Sequence, residues 1–310
     1  MGIRNYILNR RLGILIKNKK FSELTTMKVG GKINNLFYPQ TLENLIEVVN
    51  YLDKRKKSYL ILGNGSNIIA SDKTYKNLVI CGKHLVRQIE FHSDHFIVSG
   101  FMDLRVLVGK LIESNINTLT LLAGIPATIG GAIYMNAGAN NYNISDDLLW
   151  VKFYYEGKII KANKTELSFG YRDSFFKGKN IIILEAAFIL KKDENAVDIY
   201  KQTLRRRKEI QPLNYPNSGS IFRNNDNIKA YQVIKDIGLV DLMMGGAKFS
   251  EKHANFIVNV NKAKAKDVFN LIQYAKEKAK KILQIELKEE VILLNFREKH
   301  VVFMREKNKK

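Results

Sequence analysis

The amino-acid sequence predicts an α+β fold distributed over two or three domains. The chain has 310 residues, and at about 150 residues per domain this length suggests two domains or three small ones. Apolar residues make up 45% of the chain and aromatic residues 10%, which is ordinary for a globular protein with a large core. Segments of helical periodicity and short apolar strands are mixed along the whole chain, and this mixture indicates an α+β architecture.

The first twenty residues are basic and contain no acid. Arg10 and Arg11 interrupt the apolar residues, whereas a signal peptide needs an uninterrupted apolar core. We predict an amphipathic helix that docks on the protein's own surface rather than on a membrane. Its apolar face would contain Ile3, Ile7, Leu8, Leu12 and Leu15. No apolar run in the sequence approaches the roughly 18–20 residues of a membrane span.

The remaining elements follow from periodicity and turn residues. Gly30 and Gly31 predict a turn that leads into a strand. Predicted helices cover residues 42–55, 104–114, 199–210, 231–238 and 263–283. Predicted strands cover residues 59–62, 151–155, 181–190, 256–260 and 291–296, with further strands between 78 and 99. Pro212 and Pro216 follow the basic helix at 199–210 and indicate a domain boundary there.

The formal net charge is +21, which raises the possibility of a nucleic-acid-binding protein. Two basic clusters occur, at 205–208 and 276–281. Lysine, however, is spread over every segment of the chain, as a general drift in composition would produce. Nucleic-acid binding is therefore kept as the alternative from a different functional class, and we expect no nucleic-acid partner.

Cys81 is the single cysteine, so the sequence has no disulfide framework and no cysteine metal cluster. The five histidines are scattered, and we predict no metal site. A reducing, cytoplasmic environment fits this composition.

A first glycine loop follows the predicted strand at 59–62. It contains Gly63, Asn64, Gly65, Ser66 and Asn67. The loop begins like a dinucleotide fingerprint, but Ile68 stands where the third glycine belongs, and the lysine of a P-loop is missing. Two glycines can still turn successive backbone N–H groups toward a pyrophosphate. A plain tight turn is the equally weighted alternative for this loop alone.

A second glycine-rich stretch runs from residue 123 to residue 139. Gly124, Gly130, Gly131 and Gly138 lie within fifteen residues, and Pro126 stiffens the chain between them. Such spacing lets the backbone approach a large, flat group. Two glycine loops, each near a strand, favour a nucleotide-containing cofactor over structural turns.

Polar residues suited to catalysis occur in three further places. Arg172 lies among aromatic residues, and for this motif in isolation we favour a simple pairing with Asp173. Ser220 follows a glycine, but no histidine is near and no GxSxG elbow occurs, so a nucleophilic serine is unsupported and a proton-donor role stays open. Glu290 enters the last predicted strand, where paired acids usually form a solvated face.

Taken in order, these segments resemble the family of UDP-N-acetylenolpyruvoylglucosamine reductases over residues 21 to about 294. The matching motifs are Thr26–Gly31, Gly63–Asn67, Ala123–Gly131, Asn136–Ala139, Gly170–Ser174, Gly219–Phe222, Gly245–Ala247, Lys252–Phe256 and Glu290–Val291. The short length resembles the subclass that lacks a substrate-capping tyrosine loop.

The resemblance implies a two-subdomain FAD-binding module of the vanillyl-alcohol-oxidase (PCMH) type, followed by a C-terminal α+β substrate-binding domain. The expected divisions are subdomain 1 at 1–80, completed by 291–310, subdomain 2 at 81–198, and the substrate domain at 199–290. A cytoplasmic monomer with no membrane association is expected.

The resemblance also implies the reaction. NADPH would reduce FAD, hydride would pass from flavin N5 to C3 of the enolpyruvyl group of a UDP sugar, and C2 would be protonated. The product would be UDP-N-acetylmuramate, a precursor of peptidoglycan. Ser220 would donate the proton, Arg172 would face the developing negative charge, and Glu290 would support the intermediate.

Ligand contacts carry over from the matching positions. The expected FAD contacts are Gly63, Asn64, Gly65, Ser66, Asn67, Ala123, Gly124, Ile125, Pro126, Thr128, Gly130, Gly131, Ala137 and Gly138. The expected substrate contacts are Tyr171, Arg172, Gln211, Asn224, Lys248 and His253. The basic run 205–208 would meet the pyrophosphate of the substrate or of the cofactor.

Three places depart from the family pattern, one of which is Asn140–Asn141, where some members have an aromatic residue. Ala127 stands where a third glycine is usual, and Asn295 stands where a glycine usually follows Leu294. The nearest rival enzyme is another FAD-dependent oxidoreductase on the same module, but such enzymes often tether flavin through His or Cys, and neither occurs in the glycine loops.

Overall fold

The computed structural model describes residues 2–224 and 228–296 of the chain. Their helices are α1 (Ile3–Asn9), α2 (Leu42–Asp53), α3 (Leu104–Glu113), α4 (Ile129–Tyr134), α5 (Ala196–Ile210), α6 (Ala230–Asp236) and α7 (Ala265–Leu283). Their strands are β1 (Gly13–Ile16), β2 (Lys19–Lys20), β3 (Lys32–Pro39), β4 (Tyr59–Leu62), β5 (Ile68–Ala70), β6 (Tyr75–Cys81), β7 (Ile89–Phe91), β8 (His95–Ser99), β9 (Gly138–Ala139), β10 (Tyr142–Asn143), β11 (Leu148–Tyr155), β12 (Lys158–Asn163), β13 (Phe169–Gly170), β14 (Asp173–Ser174), β15 (Ile182–Ile189), β16 (Asn217–Ser220), β17 (Met243–Met244), β18 (Ala247–Phe249), β19 (Phe256–Asn259) and β20 (Ile292–Leu294).

The chain divides into two compact units, which we describe separately. The first unit contains Met1–Lys19, Ile33–Gly65 and Lys76–Glu209, and the second contains Lys20–Lys32, Ser66–Tyr75 and Ile210–Lys310. No helix in the described part of the chain is both long and apolar enough to cross a membrane.

The first unit contains two sheets with separate apolar cores. One sheet has the strand order β1-β3-β6-β4, with β4 parallel to β6. The apolar face of α2 packs in its core through Leu45, Val49 and Leu52. The Thr41 side chain accepts a hydrogen bond from the Asn44 N–H at 3.2 Å and so caps the start of α2.

The second sheet of the first unit is antiparallel, in the order β12-β11-β15-β8-β7. Its core includes Leu107 and Leu111 of α3, together with Phe96, Phe153 and Phe188 of the strands. The position of α3 matters for the site, because the helix begins directly after Asp103, whose carboxylate caps it.

The N-terminal helix is shorter than predicted. α1 ends at Asn9, and β1 begins at Gly13 and pairs antiparallel with β3. Arg11 and Gly13 have φ angles of 53° and 151°, which a continuous α-helix does not contain. The prediction that Leu12 and Leu15 lie on the helix was therefore wrong, because pairing with β3 draws this part of the chain into a sheet.

The face of α1 was predicted correctly at one position and wrongly at another. Ile7 is fully buried, whereas Leu8 is 47% exposed. The helix does dock on the protein's own surface, since the Tyr6 ring stacks on Tyr51 of α2 with 3.8 Å between ring centroids. A hydrogen bond of 2.9 Å from the Tyr6 hydroxyl to Glu47 strengthens this contact.

The second unit is an antiparallel sheet, in the order β16-β19-β18-β17, packed with α6 and α7. Its core contains Val268, Leu271 and Ile272 of α7. β5 and β20 pair in parallel within the same unit. Asp72 follows β5 and accepts hydrogen bonds from the Ala265 and Lys266 N–H groups, both at 3.0 Å, which fixes the start of α7.

The compact units divide the chain differently from the three predicted segments. Helix α5, expected at the start of the substrate domain, lies almost entirely in the first unit, and the break comes at residue 210. β20, expected to complete the first subdomain, pairs with β5 in the second unit. The three-segment division stays a prediction.

Candidate active site

The two glycine stretches meet within the first unit. Gly63 begins the loop after β4, and a Cβ atom placed on it would lie 2.6 Å from the Oγ1 atom of Thr128. That hydroxyl accepts a hydrogen bond from the Gly131 N–H at 3.2 Å and caps α4. Glycine is therefore needed at position 63 because the second stretch occupies the space of a side chain.

Asp103, which was not predicted from the sequence, joins these stretches. Its carboxylate accepts hydrogen bonds from the Asn64 amide at 2.8 Å and from the Arg105 guanidinium at 2.8 Å. Its backbone forms a β-bridge with Thr128. Burial acts to raise the pKa of Asp103, but the hydrogen bonds and charge of Arg105 and the bond from Asn64 lower it overall. Asp103 is therefore held as a carboxylate beside the glycine loops.

Gly124 lies directly against a basic side chain. A Cβ atom on Gly124 would lie 3.1 Å from Nε of Arg207, and the residue has a φ of 80°, which favours glycine. The Nε atom of Arg207 is buried and has no hydrogen-bond partner among the described residues. Burial lowers the pKa of this guanidinium. A guanidinium with a buried, unpartnered N–H is suited to receive an anion there.

The rest of the basic run is less suited to this role. Arg205 is 83% exposed in its side chain and pairs with Glu209 at 2.9 Å. Arg206 and Lys208 are also exposed. Of the four basic residues, only Arg207 is among the atoms nearest to Gly124. A contact of the run 205–208 with a pyrophosphate stays a prediction.

Other predicted cofactor contacts have evident roles within the fold. The Gly130 N–H donates to the Gly100 carbonyl at 2.7 Å, and a Cβ atom on Gly130 would lie 3.0 Å from that oxygen. Ala137 donates to Ala132 and accepts from Ile144, both at 2.8 Å. Ala123 is buried, and Ile125 and Pro126 are partly buried. The carbonyl of Ala127, where the family usually has glycine, accepts a hydrogen bond from the Leu104 N–H at 2.9 Å. This bond involves only the backbone of residue 127.

Arg172 lies in the tight turn between β13 and β14. Its Nη2 atom donates to the Gly138 carbonyl at 2.6 Å, so the structure joins this arginine to the second glycine stretch. The guanidinium carbon lies 5.0 Å from the centroid of the exposed Tyr171 ring. The backbone of Arg172 has a φ of 53°, an uncommon conformation for arginine.

Ser220 and Glu290 occupy neighbouring chain segments in the second unit. The Glu290 N–H donates to the carbonyl of Ile221 at 2.8 Å, one residue after Ser220. The side-chain amide of Asn67 donates to the Glu290 carbonyl at 3.1 Å. Asn67, which belongs to the part of the first glycine loop in this unit, thus connects to the segment that carries Glu290.

Asn255 is a further residue that sequence reasoning missed. It is buried, and its side chain forms two bonds with the backbone of Phe222, at 3.0 Å to the N–H and 2.8 Å to the carbonyl. Its own carbonyl accepts from the Ile221 N–H at 2.8 Å. Asn255 therefore holds the segment that follows Ser220. The only signal in the sequence was its place beside His253 in a matching motif.

The predicted substrate residues differ in how far the fold already engages them. Lys248 pairs with Asp241 and Glu251, and these hydrogen bonds raise its pKa. The side-chain oxygen of Asn224 accepts from the Ala230 N–H at 2.9 Å. Gln211 is partly buried at the start of the second unit.

His253 is the substrate candidate with an unused polar atom. Its Nδ1 atom is buried and has no hydrogen-bond partner among the residues described. The ring lies edge-on to Phe256, with 4.7 Å between centroids, and Phe256 is the strand partner of Ser220. Burial, and to a smaller extent the charge of Lys235, lowers the pKa of His253, so the ring is neutral near pH 7.

The departure at Asn295 has a structural explanation. The residue follows β20 and has a φ of 62°, a left-handed conformation that usually requires glycine. Asparagine is among the residues that adopt this conformation most readily. The chain can therefore turn here without the glycine that the family usually has.

Comparison with known proteins agrees with these features. Residues 34–163 match a family model described as an FAD binding domain, and residues 211–294 match one described as the C-terminal domain of UDP-N-acetylenolpyruvoylglucosamine reductase. The chain is thus a flavoprotein oxidoreductase with an FAD-binding module and a separate C-terminal domain. The UDP-N-acetylenolpyruvoylglucosamine reductase of Fervidobacterium nodosum is 34% identical over 282 residues, or 89% of this chain and 91% of the relative. The chain belongs to the UDP-N-acetylenolpyruvoylglucosamine reductase family.

Further relatives agree with this assignment. The enzyme of that name from Aquifex aeolicus is 36% identical over 91% of this chain and 95% of its own length. The crystal structure of the reductase from Thermus caldophilus has a TM-score of 0.77 and 29% identity, covering 91% of this chain and 98% of that one. The expected family, fold class and FAD cofactor are confirmed, and the family assignment favours the flavoenzyme over the nucleic-acid-binding alternative.

Proposed function

We propose that this chain reduces the enolpyruvyl group of UDP-N-acetylglucosamine enolpyruvate to form UDP-N-acetylmuramate, a precursor of peptidoglycan, with NADPH as the hydride donor. The observation that carries the proposal is the backbone bond of 2.8 Å between Glu290 and Ile221, which brings the segments of Ser220 and Glu290 together in a chain of this family. The names and lengths of the relatives support the same activity.

The residues of the first unit fit FAD. Gly63 packs against Thr128, so the two glycine stretches that would hold the cofactor are in contact with each other. Beside Gly124, Arg207 has a buried guanidinium nitrogen without a partner, and a pyrophosphate would supply the missing anion. Gly63, Asn64, Gly124 and Arg207 would hold the cofactor. When bound and reduced, FAD supplies the hydride.

Arg172 would face the negative charge that develops on the substrate. Addition of hydride beside a carboxylate generates enolate character, and a fixed positive charge lowers the energy of that state. A guanidinium suits the position because it stays charged at any working pH and offers a planar set of donors. Its bond to the Gly138 carbonyl, at 2.6 Å, orients the side chain in advance.

Ser220 would donate the proton to C2 of the substrate, and Glu290, in its protonated form, would support the negative charge of the intermediate. Ser220 ends β16, and Gly219 before it has a φ of 77° with open space around its α-carbon. A ligand can therefore approach the serine from the glycine side. A positioned general acid contributes about 10² to 10⁴ in rate.

The role of Ser220 is tested by separating the two half-reactions. In Ser220→Ala, flavin reduction by NADPH should keep its rate, and reoxidation by substrate should slow about 10² to 10⁴-fold. Both steps are followed by stopped-flow absorbance of the flavin. Ser218→Ala is the matched control, because Ser218 lies on the same strand and its buried hydroxyl has no partner in the described part of the chain. Equal losses in both half-reactions would exclude Ser220 as the proton donor.

We also propose a cytoplasmic location. The chain contains one cysteine, Cys81, which is buried, so its fold does not rely on an internal disulfide. The monomeric state stays a prediction, which sedimentation of the purified holoenzyme would measure.

A further inference from the structure

Two reciprocal hydrogen bonds join the Arg172 turn to the second glycine stretch. The side-chain amide of Asn136 donates to the Gly170 carbonyl at 2.8 Å, and the Arg172 guanidinium donates to the Gly138 carbonyl at 2.6 Å. Each bond runs from a side chain of one segment to the backbone of the other. The two segments are thus fixed in register at the position of Arg172.

Two further bonds hold the turn in place. The Ser174 hydroxyl donates to the Tyr134 carbonyl at 2.7 Å, and Lys177 Nζ donates to the Arg172 carbonyl at 3.0 Å. Arg172 itself has a φ of 53°, a conformation that a non-glycine residue keeps only where its surroundings enforce it. These bonds supply that enforcement from both sides of the turn.

The guanidinium of Arg172 packs against Gly138. A Cβ atom on Gly138 would lie 2.7 Å from Nη1 of Arg172 and 2.3 Å from Oδ1 of Asn143. Arg172 therefore packs directly on the α-carbon of Gly138 as well as bonding to its carbonyl. This contact explains the glycine without any ligand.

Asn136, which donates one of the two hydrogen bonds between these segments, is buried. It is 3% exposed and has a φ of 43°, and its Oδ1 atom is buried without a partner among the described residues. A buried amide with an unused oxygen is unfavourable by itself. The Asn136 side chain nevertheless donates a hydrogen bond to the carbonyl of Gly170, two residues before Arg172.

We propose that Asn136 is a positioning residue for Arg172, which it holds by fixing the turn on which the guanidinium stands. The inference rests on the proposed role of Arg172 and adds to it the group that sets its geometry. A charged group stabilises a developing charge most when it needs no reorganisation during the reaction. Misplacement by about 1 Å can cost on the order of 10²-fold in rate.

The test uses Asn136→Gly in the FAD-loaded enzyme. Glycine accepts the left-handed backbone at this position, whereas alanine would add strain. Flavin reduction by NADPH should keep its rate, and reoxidation by substrate should slow roughly 10- to 100-fold. Asn140→Gly is the matched control, because Asn140 is also left-handed, with a φ of 54°, and bonds to the Leu121 carbonyl rather than to the Arg172 turn.

A double-mutant cycle with Arg172→Ala isolates the coupling. Once the guanidinium is gone, Asn136→Gly should slow reoxidation no further, since the two residues act through one group. If Asn136→Gly does not yield folded, flavin-loaded protein, Ser174→Ala enters the same cycle, with a smaller slowing expected.

The outcomes separate this inference from the proposed function. If Arg172→Ala leaves reoxidation unchanged, the proposed role of Arg172 is wrong, and the positioning role falls with it. If Arg172→Ala does slow reoxidation, three results would overturn the positioning role alone. The first is that Asn136→Gly slows reoxidation further in the Arg172→Ala background. The others are that Asn136→Gly by itself slows both half-reactions equally, or that it has no more effect than Asn140→Gly.

Discussion

Gly63→Ala is predicted to force apart the two glycine stretches of the first unit. The new Cβ atom would lie 2.6 Å from Oγ1 of Thr128, whereas ordinary contacts begin at 3.4 Å. Thr128 would therefore have to move by about 0.8 Å, the difference between these distances. The same hydroxyl caps α4 through its bond with the Gly131 N–H.

The magnitude follows from these two effects. Overpacking of this kind costs about 1–3 kcal/mol, and loss of a threonine cap costs about 1 kcal/mol. Thr128→Ala alone should therefore destabilise the first unit by about 1 kcal/mol. In that background the nearest remaining atom of residue 128 is Cβ, at 3.6 Å, which is an ordinary contact. Adding Gly63→Ala to Thr128→Ala should then be close to neutral.

The assay is the temperature at which bound FAD is released, followed by flavin fluorescence. Each kcal/mol corresponds to roughly 2–4 °C in the midpoint for a domain of about 150–250 residues. Gly63→Ala should lower the midpoint, and the double variant should match Thr128→Ala. Gly109→Ala is the control, since nothing lies within 4 Å of its new Cβ atom and alanine favours its helix. Simple addition of the two single effects would refute the steric argument.

Two other predictions concern charge. Arg207→Glu should reduce FAD affinity at least tenfold, because it places an anion where we expect the pyrophosphate. Arg206→Glu is the control and should have little effect, since Arg206 is exposed. Flavin content and fluorescence titration measure both variants, and equal losses of affinity would contradict the assignment of Arg207. Burial lowers the pKa of His253 below its ordinary 6.5, so the unfolded chain binds the proton more readily than the folded one. The free energy of unfolding should therefore fall as pH decreases through about 6.5. Urea titrations at several pH values measure this dependence, and His253→Gln should make it weaker. The same pH dependence in both proteins would contradict the role given to His253.

Helices with a strong apolar periodicity were predictable from the sequence. α3 and α7 lie within one or two residues of their predicted bounds. Their apolar residues recur every three to four positions, and this repeat is a local property of the chain. The N-terminal segment shows the limit of such reasoning. Its periodicity continues through Leu12 and Leu15, but β1 pairs with the distant strand β3, with Gly13 opposite Pro39 and Ile16 opposite Leu36.

Some residues of the candidate site could likewise be predicted from the sequence, and others could not. Both glycine stretches and the motifs of Arg172, Ser220 and Glu290 were visible in the sequence, because particular residue types at particular spacings indicate their chemistry. Asp103, Asn136 and Asn255 were missed as supporting residues. Each acts through a hydrogen bond to a distant segment, and a single asparagine or aspartate carries no sequence signal for such a partner.

The sequence by itself determined the family, the FAD cofactor and the residue types available for catalysis, since these depend on motifs that can be read locally. Only the tertiary structure decided that Arg207 alone of its basic run faces Gly124, and that Asn136 and Gly138 hold the Arg172 turn. The physical reason is that burial, close packing and hydrogen bonds between segments far apart in the chain exist only after folding.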